Sequence, residues 1–179
     1  MSVKVPPSGT RGTRFPRLLA RLGNRFMVGQ FRRGRGRTQG GLPTLLLETI
    51  GAQSGERRVA VLGYLEDGPD AWLVIAAMAG AARHPSWLYN LARYPDATIE
   101  LEGGRRVDVR AETLEGADLA AAWTRIGVDA PEFVVYRSKT DRELPVVRLR
   151  QRDSGRATTG VRSEPSRSTD STTSSPGSR

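Results

Sequence analysis

The chain has 179 residues, enough for one domain with a substantial core. It has no cysteine and a single histidine, which excludes disulfides, thiol nucleophiles and His/Cys metal clusters, so we expect no metal site. The net charge of +9 is unevenly spread: residues 1–42 hold 10 Lys/Arg and no acid, whereas residues 43–150 hold 13 Lys/Arg and 16 Asp/Glu. A mildly acidic centre argues against nucleic-acid binding. The lack of cysteine, of a signal peptide and of a long apolar run favours a cytoplasmic protein.

The first 42 residues divide into two predicted parts. Residues 1–13 are polar and contain Pro6-Pro7, and we expect them to be disordered. Residues 14–42 predict a basic amphipathic helix, weakened at Gly23, followed by a flexible Arg/Gly linker. The apolar positions at helical spacing are Phe15, Leu18, Leu19, Leu22 and Phe26, and the basic positions between them are Arg14, Arg17, Arg21 and Arg25. Such a helix either packs on the domain or, through residues 14–37, lies on an anionic membrane surface; nucleic-acid contact by the linker is a weaker alternative.

Residues 43–150 have the pattern of a mostly β domain. The predicted strands are Thr44–Ile50, Arg58–Leu65, Trp72–Met78, Ala97–Leu101, Arg106–Ala111 and Leu144–Leu149, with a hairpin at Gly103-Gly104. Two inserted helices are predicted, one beginning at Pro85 and one over Ala117–Ile126. These elements indicate a small, mainly β (α+β) barrel of about six antiparallel strands. Residues 151–179 are rich in Ser, Thr, Arg and Gly, and we expect a disordered tail.

The most informative stretch runs from Gly80 through the helix that follows it, Gly80-Ala-Ala-Arg-His-Pro-Ser-Trp-Leu-Tyr-Asn-Leu. Small residues there expose the backbone, and amides at a helix N-terminus favour an anion. The first predicted turn, Gln53-Ser-Gly-Glu-Arg-Arg, adds amides, a hydroxyl and two guanidinium groups. This set suits a planar ring with a phosphate-bearing tail. A Ser-His-Asp hydrolase would rest on His84 alone, and we do not expect one.

Three segments in order resemble the deazaflavin-dependent nitroreductase family, a group of actinobacterial oxidoreductases with a split β-barrel. The family turn Thr-Thr-Gly-Arg-Lys-Ser-Gly followed by Arg is matched by Gly51, Ser54, Gly55 and Arg58. The family strand end, followed by His-Pro-x-Trp and Asn-Leu, is similar to Ala76-Ala-Met-Ala-Gly-Ala and His84-Pro-Ser-Trp-Leu-Tyr-Asn-Leu. The family tail Tyr-x-x-Tyr-x-x-x-Thr-x-Arg-x-Ile-Pro-Val-Val is similar to the run from Phe133 to Val147.

The resemblance implies a split β-barrel that transfers hydride from reduced coenzyme F420 to an organic acceptor such as a quinone, a nitroaromatic or an enone. It places the phenols of Tyr136 and Tyr64 near the acceptor, as catalytic candidates. The cofactor-binding candidates that it implies are Gln53, Ser54, Arg57, Arg58, Val59, Ala76, Ala77, Met78, Trp87, Tyr89 and Asn90.

The chain also departs from the family pattern in both site loops. The family's Arg-Lys pair is Ala52-Gln53 here, its Ser-Lys pair is Ala77-Met78, and Phe133 stands where tyrosine is frequent. Each lost charge-assisted hydrogen bond is worth roughly 1.5–3 kcal/mol. An alternative is therefore a non-catalytic barrel that binds a hydrophobic or flavin-like ligand, and a third is a related barrel that uses FMN. The sequence leaves the oligomeric state open.

Overall fold

The structure, a computed structural model, describes residues 2–14, 17–35 and 42–152. Within them, six strands form a closed antiparallel barrel in the order β1-β2-β3-β6-β5-β4. The strands are β1 (Thr44–Ile50), β2 (Arg57–Glu66), β3 (Ala71–Ile75), β4 (Asp96–Glu100), β5 (Arg106–Thr113) and β6 (Val146–Gln151). The predicted antiparallel barrel is confirmed, including the short turn at Glu102–Gly104 between β4 and β5.

Alternation along the strands divides the core into an interior cluster and an outer cluster. Leu45 and Leu47 of β1 face the barrel interior, together with Val107 and Val109 of β5. This follows from the two-residue period of a strand, which places alternate side chains on one face. The outer cluster contains Leu73, Ile75, Ala77, Leu114, Ala122, Ile126, Leu144 and Val146.

Four α-helices accompany the barrel in the described part of the chain. They are α1 (Arg17–Gln30), α2 (Ser86–Arg93), α3 (Gly116–Asp129) and α4 (Pro131–Ser138). The apolar side of α2 packs into the interior cluster, and α3 with its neighbour α4 covers the outer one. Helix α4 was not predicted because it is short and leaves Val134 and Val135 exposed, so no apolar stripe marks it. Pro85 precedes α2 in an extended conformation instead of opening it.

Two predicted strands were placed wrongly at their ends. β3 stops at Ile75 and not at Met78, because a left-handed turn over Met78–Gly80 follows it. β6 begins at Val146, since Pro145 has no N–H to donate to the ladder. The carbonyl oxygen of Pro145 still accepts a hydrogen bond from Ala76 N at 2.9 Å.

Residues 2–14 form an ordered strap against the barrel, which contradicts the expected disorder. Val3 is buried in the interior cluster. Lys4 N donates to Thr113 Oγ1 at 2.9 Å, and Thr113 N donates back to Ser2 O at 3.4 Å. No sequence pattern marks the strap, because backbone hydrogen bonds leave no periodicity of apolar residues.

Helix α1 is bound to the first part of β2, which β3 does not reach because it pairs only with residues 64–66. Asn24 donates to Val59 O at 2.6 Å and accepts from Val61 N at 3.2 Å, so one side-chain amide replaces a missing strand partner. Beyond α1, Phe31–Arg35 continue as a π-helical turn with Phe31 buried, where a flexible linker was expected.

Several expectations fall on residues or side chains that lie outside the description. Outside the described residues are Phe15, the rest of the Arg/Gly linker (36–41) and the tail over 153–179. The side chains of the expected apolar and basic stripes of α1 are also outside it: Leu18, Leu19, Leu22, Arg17, Arg21 and Arg25. A search of the described helices finds none with the length and apolarity needed to span a bilayer.

Candidate cofactor-binding site

One end of the barrel collects the segments in which the sequence analysis placed the site. Ile50, which ends β1, pairs with Arg57, which begins β2. Ile75, which ends β3, pairs with Val146, which begins β6. Because β2 is antiparallel to both β1 and β3, the ends of β1 and β3 lie at the same end of the barrel. Three connecting segments lie at this loop end: residues 51–56, 76–85 and 139–145.

Three consecutive residues after β3 adopt left-handed backbone conformations. The φ angles are 48° at Met78, 50° at Ala79 and 76° at Gly80. For residues with a Cβ this region costs roughly 1–2 kcal/mol each. Space also requires Gly80, because a Cβ there would lie 2.7 Å from the carbonyl oxygen of Tyr136 in α4. Neighbouring groups must therefore hold this turn in place.

The side chain of Arg142 is one of those groups. It is only 5% exposed, and burial lowers its pKa, although an arginine remains charged at neutral pH. Its Nε donates to Ala81 O at 2.7 Å, and its Nη2 donates to Ala76 O at 3.0 Å and Ala77 O at 2.8 Å. Its Nη1 donates to Glu143 O at 2.8 Å. The buried charge is thus compensated by the dipoles of the loop carbonyls.

His84 links this arginine to the strap. The imidazole is buried, with Nδ1 3.1 Å from Nη1 of Arg142 and Nε2 3.4 Å from Pro7 O. A guanidinium can only donate, so Nδ1 must accept and Nε2 must carry the proton. Burial, reinforced by the charge of Arg142, lowers the pKa of His84. The histidine is therefore a neutral structural link.

The strap binds other residues of the same loop. Thr13 N donates to Gly80 O at 3.0 Å, and Thr13 Oγ1 donates to Ala79 O at 2.9 Å. Further along, Gly9 N donates to Ala82 O at 2.8 Å. These bonds reach loop carbonyls that Arg142 does not contact.

As a result, the loop has its carbonyl groups paired and two amides free. All seven carbonyl oxygens of residues 76–82 accept a hydrogen bond. Within the described ranges, the N–H groups of Met78 and Ala79 have no hydrogen-bond partner. Two consecutive N–H groups of one turn that lack a partner can donate to an anion or to a ligand oxygen.

Asn90 of α2 holds the turn between β1 and β2. This side chain is buried; its Oδ1 accepts from Ala52 N at 2.9 Å and its Nδ2 donates to Thr49 Oγ1 at 3.0 Å. Asn90, expected as a cofactor ligand, is therefore occupied with positioning the turn. Gln53 and Ser54 at the tip are exposed, and their N–H groups have no partner within the part of the chain that the structure describes.

Two exposed guanidinium groups flank this turn. Arg57 pairs with Glu48 at 3.0 Å, and Arg58 pairs with Glu56 at 2.7 Å. Exposed ion pairs of this kind contribute about 0–1 kcal/mol. A ligand phosphate or carboxylate can therefore compete for these arginines at little cost. The structure thus brings together eight of the predicted residues at the loop end: Gln53, Ser54, Arg57, Arg58, Val59, Ala76, Ala77 and Met78.

The predicted aromatic residues lie in separate environments. Trp87 is buried in the interior cluster, so its role is packing. Tyr89 is 42% exposed, and its ring meets that of His84 edge-on with centroids 6.2 Å apart. Tyr136 lies in α4, and its ring meets Phe133 edge-on at 5.7 Å. Tyr136 belongs to the loop end because α4 contacts the left-handed turn. Tyr89 belongs to it because its ring meets His84, which lies in the segment 76–85.

Tyr64 is not brought together with Tyr136. It packs against the interior cluster, whereas Tyr136 packs against the outer one. Burial, with the nearby carboxylates of Glu66 and Glu102, raises the pKa of Tyr64. Glu102 belongs to the β4–β5 turn, which lies at the end of the barrel opposite the loop end. The expectation of two phenols at one acceptor is not met.

The residues that hold the loop were not chosen from the sequence. Arg142 is part of the motif that ends at Val147, but nothing in that motif indicated that its side chain would hold a loop. His84 was expected simply to precede a helix. No sequence signal identified Thr13 or Asp141, since their partners are distant in the chain.

Other surface features lie away from this end. An open depression of about 360 Å³ is lined by Arg105, Arg106, Asp108 and Arg152, on the outside of β4 and β5. Its arginines are partly paired, for example Arg152 with Asp96 at 3.5 Å. Among the described residues, no three His, Asp or Glu side chains are grouped so as to hold a metal ion.

The donor set of the loop end fits a deazaflavin coenzyme with a phosphate-bearing tail. The amides of Met78 and Ala79 can donate to ring oxygens. Arg57 and Arg58 supply positive charge for the tail. The side chains that the family pattern lacks here are thus partly replaced by backbone donors. A closed antiparallel barrel with such a loop end defines a cofactor-binding β-barrel protein.

Comparison with known proteins agrees with this class. The family model described as F420H(2)-dependent quinone reductase matches residues 23–151. The F420H(2)-dependent quinone reductase Rv1261c of Mycobacterium tuberculosis is 37% identical over 119 residues, which cover 65% of this chain and 78% of that protein. The solved structure of the F420-H2 dependent reductase FDR-A superposes with a TM-score of 0.54 at 30% identity, over 60% of this chain and 93% of that one. The chain belongs to the F420H(2)-dependent quinone reductase family.

Proposed function

We propose that this protein reduces a quinone with F420H2, and that the coenzyme binds at the loop end of the barrel. The observation that carries the activity is the family match over residues 23–151, which spans all six strands. The placement of the coenzyme is supported by the two consecutive free amides of Met78 and Ala79. These are backbone groups, so they are kept although the family's side chains are lost.

The chemistry divides between the coenzyme and the protein. When bound, the reduced deazaflavin supplies a hydride, and a quinone needs one proton in addition to become a hydroquinone. The protein orients the pair and delivers the proton. The phenol of Tyr136 is the proposed donor, since the backbone of Tyr136 in α4 lies beside the left-handed turn. Tyr64 has no part in this proposal because it lies away from the loop end.

Binding of the coenzyme tail is assigned to the β1–β2 turn. The amides of Gln53 and Ser54 donate to anionic oxygens, and Arg57 and Arg58 exchange their carboxylate partners for the phosphate. A guanidinium group can make two parallel hydrogen bonds to a phosphate as well as to a carboxylate, so one anion can replace the other. We therefore expect coenzyme affinity to fall with ionic strength.

A peripheral membrane contact through α1 is the second part of the proposal. Phe26 is 66% exposed and Met27 is 42% exposed, although the same helix is anchored to β2 through Asn24. Exposed arginines follow at Arg32 and Arg33, in a region without any acidic residue. Exposed apolar side chains next to positive charge are suited to the surface of an anionic membrane. Apolar quinones dissolve in such a membrane.

The activity is tested by anaerobic oxidation of F420H2 with menadione as acceptor, followed by recovery of the absorbance of the oxidised coenzyme. Nitroaromatic and enone acceptors and reduced FMN are run in parallel. We expect turnover with F420H2 and menadione and none with reduced FMN. Tight F420 binding without turnover of any acceptor would contradict an enzyme and favour the non-catalytic ligand-binding barrel.

The membrane contact is tested by co-sedimentation with vesicles of phosphatidylglycerol or phosphatidylcholine. We expect binding to the anionic vesicles only, and Phe26→Ser with Met27→Ser to abolish it. Val128→Ser is the matched control, because Val128 is an exposed apolar residue of α3 (77% exposed). Equal binding of the double variant and wild type would contradict the proposal.

A further inference from the structure

The strap lies outside the residues that the family model matches, yet it contacts the core of the site. The match begins at residue 23, and the strap ends at residue 14. We propose that Thr13 is a positioning residue for the coenzyme: with the strap, it holds the turn Met78–Gly80 in the conformation that keeps two amides free. This inference rests on the proposed function because it concerns the same site.

Thr13 fixes two successive peptide groups of the turn. Its N–H and its hydroxyl bind the carbonyl oxygens of Gly80 and Ala79, respectively. Those carbonyls belong to residues in left-handed conformations, which are unfavourable for Ala79 in the absence of such support. The peptide planes that Thr13 holds carry the N–H groups of Gly80 and Ala81, which donate to Ala77 O and Met78 O, each at 3.0 Å. Those two carbonyls share their peptide planes with the free amides of Met78 and Ala79, so Thr13 acts on the free amides through these two hydrogen bonds.

Asp141 anchors the strap on its other side. Its carboxylate accepts from Thr10 N at 3.0 Å, from Thr10 Oγ1 at 2.6 Å and from Arg11 N at 3.0 Å. Thr140 Oγ1 donates to Arg11 O at 2.9 Å. The hydrogen bonds to Asp141 lower its pKa to about 2, so the acceptor is charged at neutral pH. The strap is therefore tied both to the segment before β6 and to the cofactor loop.

The strap also fits too closely to be a loosely attached tail. A Cβ atom at Gly9 would collide with the carboxylate of Asp141, and a Cβ at Gly12 would collide with the backbone nitrogen of Ala82. The chain passes between two segments of the barrel at van der Waals distance. A displacement of either segment would be transmitted to the other.

The test compares Thr13→Val, which removes the hydroxyl but keeps the shape, with Thr13→Ser, which restores the hydroxyl. Thr124→Val is the matched control, since Thr124 Oγ1 also donates to a backbone carbonyl (Ala120 O, 3.1 Å) but within α3. For T13V we expect the Kd of oxidised F420 to rise about fivefold or more, and the KM for F420H2 to rise with kcat nearly unchanged. Thr13→Ser and T124V should match wild type.

A second readout does not depend on the coenzyme. Amide hydrogen exchange in the coenzyme-free protein reports the turn itself, because the N–H groups of Gly80 and Ala81 are hydrogen-bonded within it. In T13V we expect these amides to exchange about tenfold faster, with unchanged exchange in β4 and β5. If F420 fails to bind wild type, the proposed function is wrong, and the exchange data still decide the role of the strap.

Unchanged exchange at Gly80 and Ala81 in T13V would overturn the inference, as would an equal rise of Kd in T124V. If T13V folds poorly, Asp141→Asn loosens the strap from its other anchor and carries the same two expectations. Wild-type exchange and affinity in that variant would also overturn it.

Discussion

The two loops at the cofactor end of the barrel are held in opposite ways. Every carbonyl of residues 76–82 is bound, mainly by buried Arg142 and by the strap. The β1–β2 turn is fixed chiefly through Asn90, and its flanking charges form exposed ion pairs. Both loops lack cationic side chains that the family pattern has. From this difference we expect the first loop to bind the coenzyme through its backbone, and the second to add arginine charge to its two backbone amides.

The largest expected effect follows from removing the buried guanidinium. Arg142→Met leaves the buried carbonyls of Ala76 and Ala81 without a donor and removes one of the two donors to Ala77 O. We expect the free energy of unfolding to fall by at least about 3 kcal/mol, measured by urea denaturation. Arg142→Lys, which keeps the charge with fewer donors, should lie between this variant and wild type. A loss below about 1 kcal/mol in Arg142→Met would show that the loop does not depend on this side chain.

A smaller loss is expected when the other loop is released. Asn90→Ala removes two buried hydrogen bonds, to Ala52 and Thr49, and should lower the free energy of unfolding by about 2 kcal/mol. Exchange of the Ala52 amide should rise while that of Gly80 remains slow, which separates the two loops. Equal acceleration at both would contradict their independence.

Acidification should act on the arginine-held loop through His84. Its folded-state pKa lies below the unfolded value of 6.5, so the unfolded chain binds more protons as the pH falls below that value. Stability should therefore be constant just above pH 6.5 and decline below it, before most carboxylates titrate. Thermal melts between about pH 7 and pH 5 check this. His84→Gln, which replaces the only histidine, should remove the decline; the same slope in that variant would assign it to another group.

The smallest effect on stability, but a clear one on binding, is expected at the exposed arginines. Arg57→Ala breaks only an exposed ion pair and should change the free energy of unfolding by less than about 0.5 kcal/mol. It should weaken F420 binding about fivefold at low salt, and less at high salt. Arg110→Ala, which breaks a comparable pair with Asp96 on β4, is the control. Equal Kd values for the two variants would contradict the tail site.

The barrel could be predicted from the sequence because short apolar or alternating runs mark its strands and glycines mark its turns. The strand Thr44–Ile50 was predicted to the residue. The two loops in which we expect the site were also recognised, since their motifs are local, and both lie at one end of the barrel. What holds them could not be: Arg142 and Thr13 act through backbone carbonyls about 60 residues away, and a carbonyl partner has no sequence signature. Tyr64 and Tyr136 were grouped by type, but β-strand alternation and α4 place them against opposite clusters.

The most direct test of where the coenzyme binds is a titration of isotope-labelled protein with oxidised F420, followed by amide chemical shifts. We expect the largest changes at Met78 and Ala79, with further changes at Gln53 and Ser54. Changes confined to the depression around Arg105 and Arg106, with none at Met78 and Ala79, would contradict it.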